Sequence, residues 1–543
     1  MDLFRQAVGF HSGGQLAMAD HLYRQVIELD PQHADALHWL GVLEGQNGNL
    51  AGAVALLERS VASNPEDAVA FNDLGTAQRG LSRREQALES YARALALKPD
   101  YAKVYSDRGA VLHELLRLHE ALASLEQALA LAPGDVEALL RSCRVLAESG
   151  QLASALERSV AALALEDSPR TQGMFAEVLK ATRFQAAAAS LQAPVVQVIE
   201  VPWGRPNELG SAVVSYLKQS PALRAGIGRV AALLPSPSAA QVPAEPSLQT
   251  LLADAESVCD DPVLLALLRN VLVSDAELEL FLTAARHALL VALGGGASPS
   301  PALLEFQCAL AQQCFINEYV FAVSDAEEAL VAALRERVAT MAATGAALDA
   351  GAVALAACYA PLAGIAGAES LQQHIWPYAL RRVLEQQLQE PEEERRCGEA
   401  IKALTGVSDG VSQQVRQQYE ESPYPRWVKY PLNVVPVTVD GYLGGRFPRA
   451  AFDSLGKTNA DTQLLIAGCG TGQHSIEAAL LFRGARVLAV DLSRASLAYA
   501  LRKTQELKIQ GIEYAQADIL CMAGIERQFD VIESMGVLHH LED

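Results

Sequence analysis

The sequence predicts a mostly α protein with a C-terminal α/β domain. Two observations carry that reading. A 34-residue period runs through the first third of the chain, and a glycine-rich turn sits between two short apolar runs near its end. Composition agrees: of 543 residues half are hydrophobic and a fifth charged, a globular balance with alanine-rich helical character. A chain of this length holds three or more domains.

The repeats come first. Pro31, Pro65, Pro99 and Pro133 share one spacing, as do Gly41, Gly75 and Gly109, with Cys143 next in that column. Ala19, Ala53, Ala87, Ala121 and Ala155 form another column, and Leu37, Phe71, Tyr105 and Leu139 a column of large residues. The pattern resembles the tetratricopeptide repeat (TPR): two antiparallel helices per unit, small residues where they cross, proline ending the second helix. About five repeats fill residues 1–167 as an α-solenoid, the last with Asp167 where proline is due, which suits a terminal cap. The resemblance implies a concave groove for a protein or peptide segment; a scaffold or dimerisation arm without ligand is the plainer alternative. The expected groove columns read His38, Asn72, Ser106, Leu140 and Trp39, Asp73, Asp107, Arg141. They form neither an asparagine ladder nor a row of cations, which argues against a clamp for a terminal carboxylate.

The middle of the chain reads as helical. Residues 168–250 form a helical extension, interrupted by an extended segment around Val195–Pro202 and closed by the Pro/Ser-rich linker Leu234–Pro246. Residues 251–410 read as a helical bundle broken at Gly294–Pro301. Two helices open with the same SDAE, at Ser274–Glu277 and Ser324–Glu327, each expected to be a capping box. Phe306–Phe321 is apolar nearly all round and should be a buried helix in which Asn317, Glu318 and Tyr319 need partners. Residues 411–450 form a connecting strap. Within it, QYEESPYPRWVKYP (418–431) crowds Tyr419, Tyr424, Trp427 and Tyr430 beside Arg426 and Lys429, and its prolines forbid a regular helix. It reads either as a lid framing a ligand, with Tyr424 and Trp427 as substrate contacts, or as an aromatic anchor.

The last segment, 451–543, carries the chemistry. Leu464–Ala467 is an apolar run that stops at Gly468, Gly470 and Gly472; a helical stretch follows, then a second run, Arg486–Val490, ending in Asp491. Glycine lets the turn take positive φ and bares backbone to a ligand. The following helix is expected to aim free N–H groups back at it, and Asp491 is placed to accept ribose hydroxyls. Dinucleotide turns read G-x-G-x-x-G, but here the third glycine comes one residue early and Gln473 takes that place. The turn resembles the G-x-G-x-G of class I S-adenosylmethionine (SAM)-dependent methyltransferases. Asp518, after a third apolar run, matches the acidic residue that contacts the adenine amine in that family. FDVIESMGVLHHL (529–541) is similar to its fourth strand and the loop that follows. The resemblance implies a Rossmann-like sheet, SAM as cofactor, and contacts from Gly468, Cys469, Gly470, Gly472, Asp491, Leu492, Asp518 and Ile519. Glu533, His539 and His540 are the candidates for catalytic work at the mouth of the cleft. LAQQCFINEYVF and the strap's Y-E-x-x-P-Y-P-R-W are similar to segments found between TPRs and methyltransferase cores in some bacterial proteins. The family commonly has an acidic residue two before the first glycine, where this chain has Ile466. That departure supports the alternative reading, an interaction protein with a non-catalytic SAM-binding domain.

Four strands fit between Leu464 and Asp543, in the order 3-2-1-4 set by right-handed crossovers. Sheets of this class usually have seven, so the expectation is a truncated domain, with the acceptor unassigned. A formal charge of −21 argues against broad nucleic-acid binding. No secretory signal or membrane-length apolar run is read, and the oligomeric state stays open. Eight scattered cysteines lack zinc spacing and read as small buried residues in a reducing cytoplasm, with no metal.

Overall fold

The computed structural model describes residues 2–186, 188–233, 258–345, 349–406, 410–421, 423, 426–447, 462–482 and 484–537. The chain divides into two compact units, Met1–Thr182 and Arg183–Asp543.

The first unit is an α-solenoid of antiparallel pairs: Asp2–Ser12 with Leu16–Leu29, Ala34–Gln46 with Leu50–Ser63, Ala68–Gly80 with Arg84–Leu97, Ala102–Glu114 with Leu118–Leu131, and Val136–Glu148 with Leu152–Leu165. Pro169–Ala181 adds a helix against the last pair. The alanine column lies at the crossings and is at most 1% exposed. The glycine column has a tighter reason. A Cβ on Gly41 would sit 2.8 Å from the Leu57 side chain, on Gly75 2.6 Å from the Tyr91 ring, and on Gly109 2.7 Å from Leu125. Cys143 fits the fourth place because its thiol donates to the Ala155 carbonyl, 3.2 Å away.

The first column expected in the groove, His38, Asn72, Ser106 and Leu140, is buried. His38 and Ser106 are tied to the neighbouring repeat, while Leu140 lines a cavity of the repeat unit with Arg141 of the second column. His38 Nε2 lies 2.8 Å from Asp73 Oδ2, and Arg141 Nη1 donates to Ser106 Oγ and Asp107 Oδ1, each at 3.0 Å. Arg79 with Glu114 and His113 with Glu148 continue these ties between repeats.

The second unit joins helices to a sheet. Residues 192–200 are helical, so the extended segment expected at Val195–Pro202 is not found; Pro194 falls in the first turn, where its missing N–H costs nothing. The box expected at Ser274 is shifted by one residue. Asp275 caps Ala276–Leu293 through the Leu278 N–H, while Lys218 Nζ engages both Asp275 and Glu277. Ser324 and Glu327 do form a reciprocal box. Pro301–Ile316 is the buried central helix, and it stops before the polar trio: Asn317 caps it, and Glu318 and Tyr319 turn away at positive φ. Cys521 is exposed, against the expectation for all eight cysteines, because it sits on a surface 3-10 turn; the other seven are buried.

Five parallel strands form the sheet: β1 (Lys402–Ala403), β2 (Gln463–Ala467), β3 (Arg486–Asp491), β4 (Ile512–Gln516) and β5 (Val531–Glu533), in the order β1-β4-β3-β2-β5. The four expected strands stand in the expected order. β1 adds an outer strand from the helical region, pairing Lys402 with Ala515 and Ala403 with Gln516. Glu390–Ala400, just before it, packs on Arg494–Glu506 through Cys397, Ile401, Leu497 and Ala498. Among the described residues no helix is long and apolar enough to cross a membrane.

Gly75 tests the packing of the solenoid. Gly75→Val drives two methyls into a fully buried tyrosine ring. Overpacking of this kind costs about 1–3 kcal/mol, so urea unfolding of the variant should shift to a lower midpoint; an unchanged midpoint would contradict the packing described.

Candidate functional site

Apolar β2 residues bury the strand between neighbours, and the chain leaves it through glycines. Gly468, Gly470 and Gly472 have φ of +76°, +50° and +83°. Their surroundings differ. A Cβ on Gly468 would run into Val537, and one on Gly472 would lie 2.5 Å from Ala500 Cβ. A Cβ on Gly470 would meet nothing within 4 Å. Two glycines therefore serve close packing, and the third faces open space.

The N–H groups of the turn itself are taken up within the protein. Gly468 and Cys469 both donate to the Val490 carbonyl, at 2.8 and 2.9 Å, and Gly472 donates to Cys469 at 3.0 Å. Gly470 donates to Asp491 Oδ2 at 2.7 Å, and Asp491 Oδ1 takes the Ser493 N–H at 2.9 Å. The tight chain reversal turns the Gly468, Cys469 and Gly470 groups toward β3. Burial pushes the Asp491 carboxyl above its ordinary value, against the pull of the Ser493 and Gly470 donors. Cys469 is buried in the same way, which raises its thiol. Leu492 follows Asp491, and its carbonyl takes the Gln516 amide at 2.8 Å.

Asp518 lies beyond β4 and is 1% exposed. Its Oδ1 caps the following 3-10 turn through the Leu520 N–H, at 3.0 Å. Its Oδ2 is buried and has no partner among the described residues. Ile519 packs on the neighbouring core with Leu465, Leu488 and Ala515. Thr405, just after β1, was not singled out from the sequence; its Oγ1 accepts the Asp518 N–H at 2.7 Å. No local signal marks it, because only the long-range pairing of β1 brings it there.

The strap closes the far side of the turn. Trp427 is 1% exposed, packed with Tyr430, Ile476 and Tyr499, and its indole donates to the Thr471 carbonyl at 3.1 Å. This corrects its assignment as a substrate contact, since no face of the ring remains for an acceptor. Tyr424 lies outside the described residues. Lys503 Nζ holds the Val428 carbonyl at 2.6 Å, and Ser493 Oγ the Tyr419 carbonyl at 2.9 Å. The Glu420 carboxylate caps Arg494–Glu506 through the N–H groups of Arg494 and Ala495, at 2.8 and 3.0 Å. An anion at that helix end is favoured by the dipole.

Of the catalytic candidates, His539 and His540 lie outside the described residues. Glu533 ends β5, and its Oε2 lies 2.5 Å from His474 Nε2. The sequence reading missed His474, which sits in the first turn of Gln473–Leu481. Glu477, 3.8 Å from Nδ1 and itself paired with Arg205, joins Glu533 in raising the His474 imidazole to about 9. The ring is therefore a cation at neutral pH and holds two carboxylates.

The methyltransferase-domain family model matches residues 464–543, and tetratricopeptide-repeat models match 11–68, 81–115 and 112–174. An uncharacterized protein of Synechococcus sp. is 31% identical over 155 residues, 26% of this chain and 33% of that protein. The match thus spans a third of that curated relative. Among solved structures, MamA is similar at 24% identity and a TM-score of 0.29, covering 30% of this chain and 94% of MamA. A thermophilic TPR protein of Thermus thermophilus is similar at 26% identity and a TM-score of 0.28, covering 33% of this chain and 97% of that one. The chain carries tetratricopeptide repeats ahead of a methyltransferase domain.

The His474 ion pairs have a pH signature. The folded-state value of about 9 stands above the ordinary 6.5. Their stabilisation is therefore complete below pH 6.5, while the carboxylates stay ionised, and is lost as pH rises through about 9. The melting temperature of the native chain should exceed that of His474→Gln near pH 6, and the gap should close in alkali. A gap independent of pH would contradict the pairing.

Proposed function

We propose that this chain binds SAM at the glycine turn and transfers its methyl group to a protein or peptide acceptor delivered by the repeat arm. The observation that carries the reading is Asp518 Oδ2, a buried acceptor without a donor among the described residues, at the same C-terminal end of the parallel sheet as the open face of Gly470. A buried acceptor left unmet is costly, and the adenine amine supplies the missing donor. The Asp491 carboxylate takes backbone N–H groups, Gly470 on Oδ2 and Ser493 on Oδ1, and in this reading receives ribose hydroxyls beside them. Leu492 and Ile519 flank these carboxylates in sequence. The fit supports the cofactor that methyltransferase domains of this family generally use.

When bound, SAM supplies a methyl on a sulfonium that an in-line nucleophile displaces. The part of the chain in that step is mainly placement, which accounts for much of the rate in displacements of this kind. The Asp491 bridges fix the turn, and the Trp427 indole fixes Thr471 from behind. Glu533, oriented by its contact with His474, is the candidate in this reading to take a proton from an acceptor. The groove of the repeats receives the segment carrying the acceptor. Buried free thiols in both units suit the reducing cytoplasm.

Ile466, 1% exposed where the family commonly has an acid, favours a second reading, a SAM-binding scaffold without turnover. Calorimetric titration of SAM tests the first step: saturable binding is expected, weakened about tenfold or more by Asp518→Ala through the lost adenine contact. Absence of binding by the intact chain would remove both readings. Transfer of labelled methyl to lysate proteins separates them; binding without transfer would leave only the scaffold.

A further inference from the structure

The outer strand β1 comes from the helical region and lies ahead of residues 464–543, the part that the methyltransferase-domain model matches. Its ladder with β4 is short. Lys402 pairs with Ala515 and Ala403 with Gln516, and the Leu404 N–H donates to the Gln516 carbonyl at 2.8 Å. One residue on, a side chain supplies the next rung: Thr405 Oγ1 accepts the Asp518 N–H at 2.7 Å. From the other side, the Ala517 N–H donates to the Asp491 carbonyl at 3.0 Å. Successive peptide groups after β4 are thus held in turn by β1, by β3 and by β1 again. Leu404 packs on the same core as Ile519.

The consequence falls on one carboxylate. Asp518 is 1% exposed, its Oδ1 is taken by the Leu520 N–H, and its Oδ2 has no donor among the described residues. With Oδ1 committed to its own turn, the place of Oδ2 is set by the Asp518 backbone. That backbone rests, through its N–H, on a hydroxyl from a different part of the chain. A buried N–H that loses its acceptor draws the backbone toward another, and Oδ2 moves with it.

We propose that Thr405 is a positioning residue for the adenine end of the cofactor: it holds Asp518 so that Oδ2 meets the amine, and it makes β1 a part of the SAM site supplied from outside the methyltransferase domain. The inference rests on the SAM-binding reading above. A cofactor held through β1 holds β1 in place by the same factor, so SAM binding and the docking of this strand favour each other.

Calorimetric titration of the full chain tests it with SAM and with the 6-deamino analogue, in which hydrogen replaces the adenine amine. Thr405→Val keeps the shape of the side chain and removes its oxygen. It should weaken SAM about fivefold or more, and Thr405→Ser, which keeps the oxygen, should restore the affinity. The analogue has no amine for Asp518, so the native chain and Thr405→Val should bind it equally. Hydrogen exchange supplies a second readout: saturating SAM should slow exchange of the Leu404 amide in the native chain and not in Thr405→Val. SAM binding indifferent to Thr405→Val would overturn the proposal. Equal losses for SAM and the analogue would overturn it too, since they mark a merely structural role, as would Leu404 exchange unchanged by SAM. Each of these leaves SAM binding itself standing; absence of SAM binding by the intact chain would remove that reading and this inference with it.

Discussion

The Asp491 carboxylate is the interaction on which the rest of the candidate site depends. It reaches back from the end of β3 to the N–H of Gly470 and forward to the N–H of Ser493. One side chain thereby fixes the turn after β2 and the start of the helix after β3. The Val490 carbonyl adds two bonds to the same turn. The glycines permit this arrangement, because only their backbones reach the positive φ required without strain. Open space beside Gly470 follows from the bracing of its neighbours.

The helical region and strap belong physically to the methyltransferase unit. They supply β1, the Thr405 hydroxyl on Asp518, the Glu420 cap and the Trp427 bond to Thr471. Arg502 is 4% exposed and joins Glu390 and Glu394 of the helical region to Glu506 of its own helix. Removing one partner from a buried set of this kind leaves a charge uncompensated. Arg426, stacked over Phe315 and paired with Glu318, ties the strap to the end of the central helix. The polar trio that the sequence left without partners thus contributes one to the strap.

Periodic features were the most legible. The repeat columns, the glycine turn and Asp491 could be read because each follows from a local rule of spacing or backbone freedom; Asp518 was marked only by the family resemblance. What escaped was set by distant contact. His38 reads as a groove residue, yet its contact with Asp73 draws it into the seam between repeats. Trp427 reads equally as lid or anchor, and burial against Tyr499 and Ile476 decides for the anchor. His474 has no motif of its own; its partners come from β5 and from its own helix. β1 is two residues long, too short for any alternation to show.

That short outer strand bears on how the domain is made. Lys402 and Ala403 leave the ribosome far ahead of Ala515 and Gln516, with which they pair. Until β4 exists there is no edge for them to join, so the Leu404 amide must stay hydrated rather than meet the Gln516 carbonyl. Such non-local closure is slow, because chain entropy is lost before the contact forms. The helices ahead of it can settle first and wait as a preformed wall. The sheet is then assembled against that wall, and the ladder of its outer strand is the one that seats Thr405 beside Asp518.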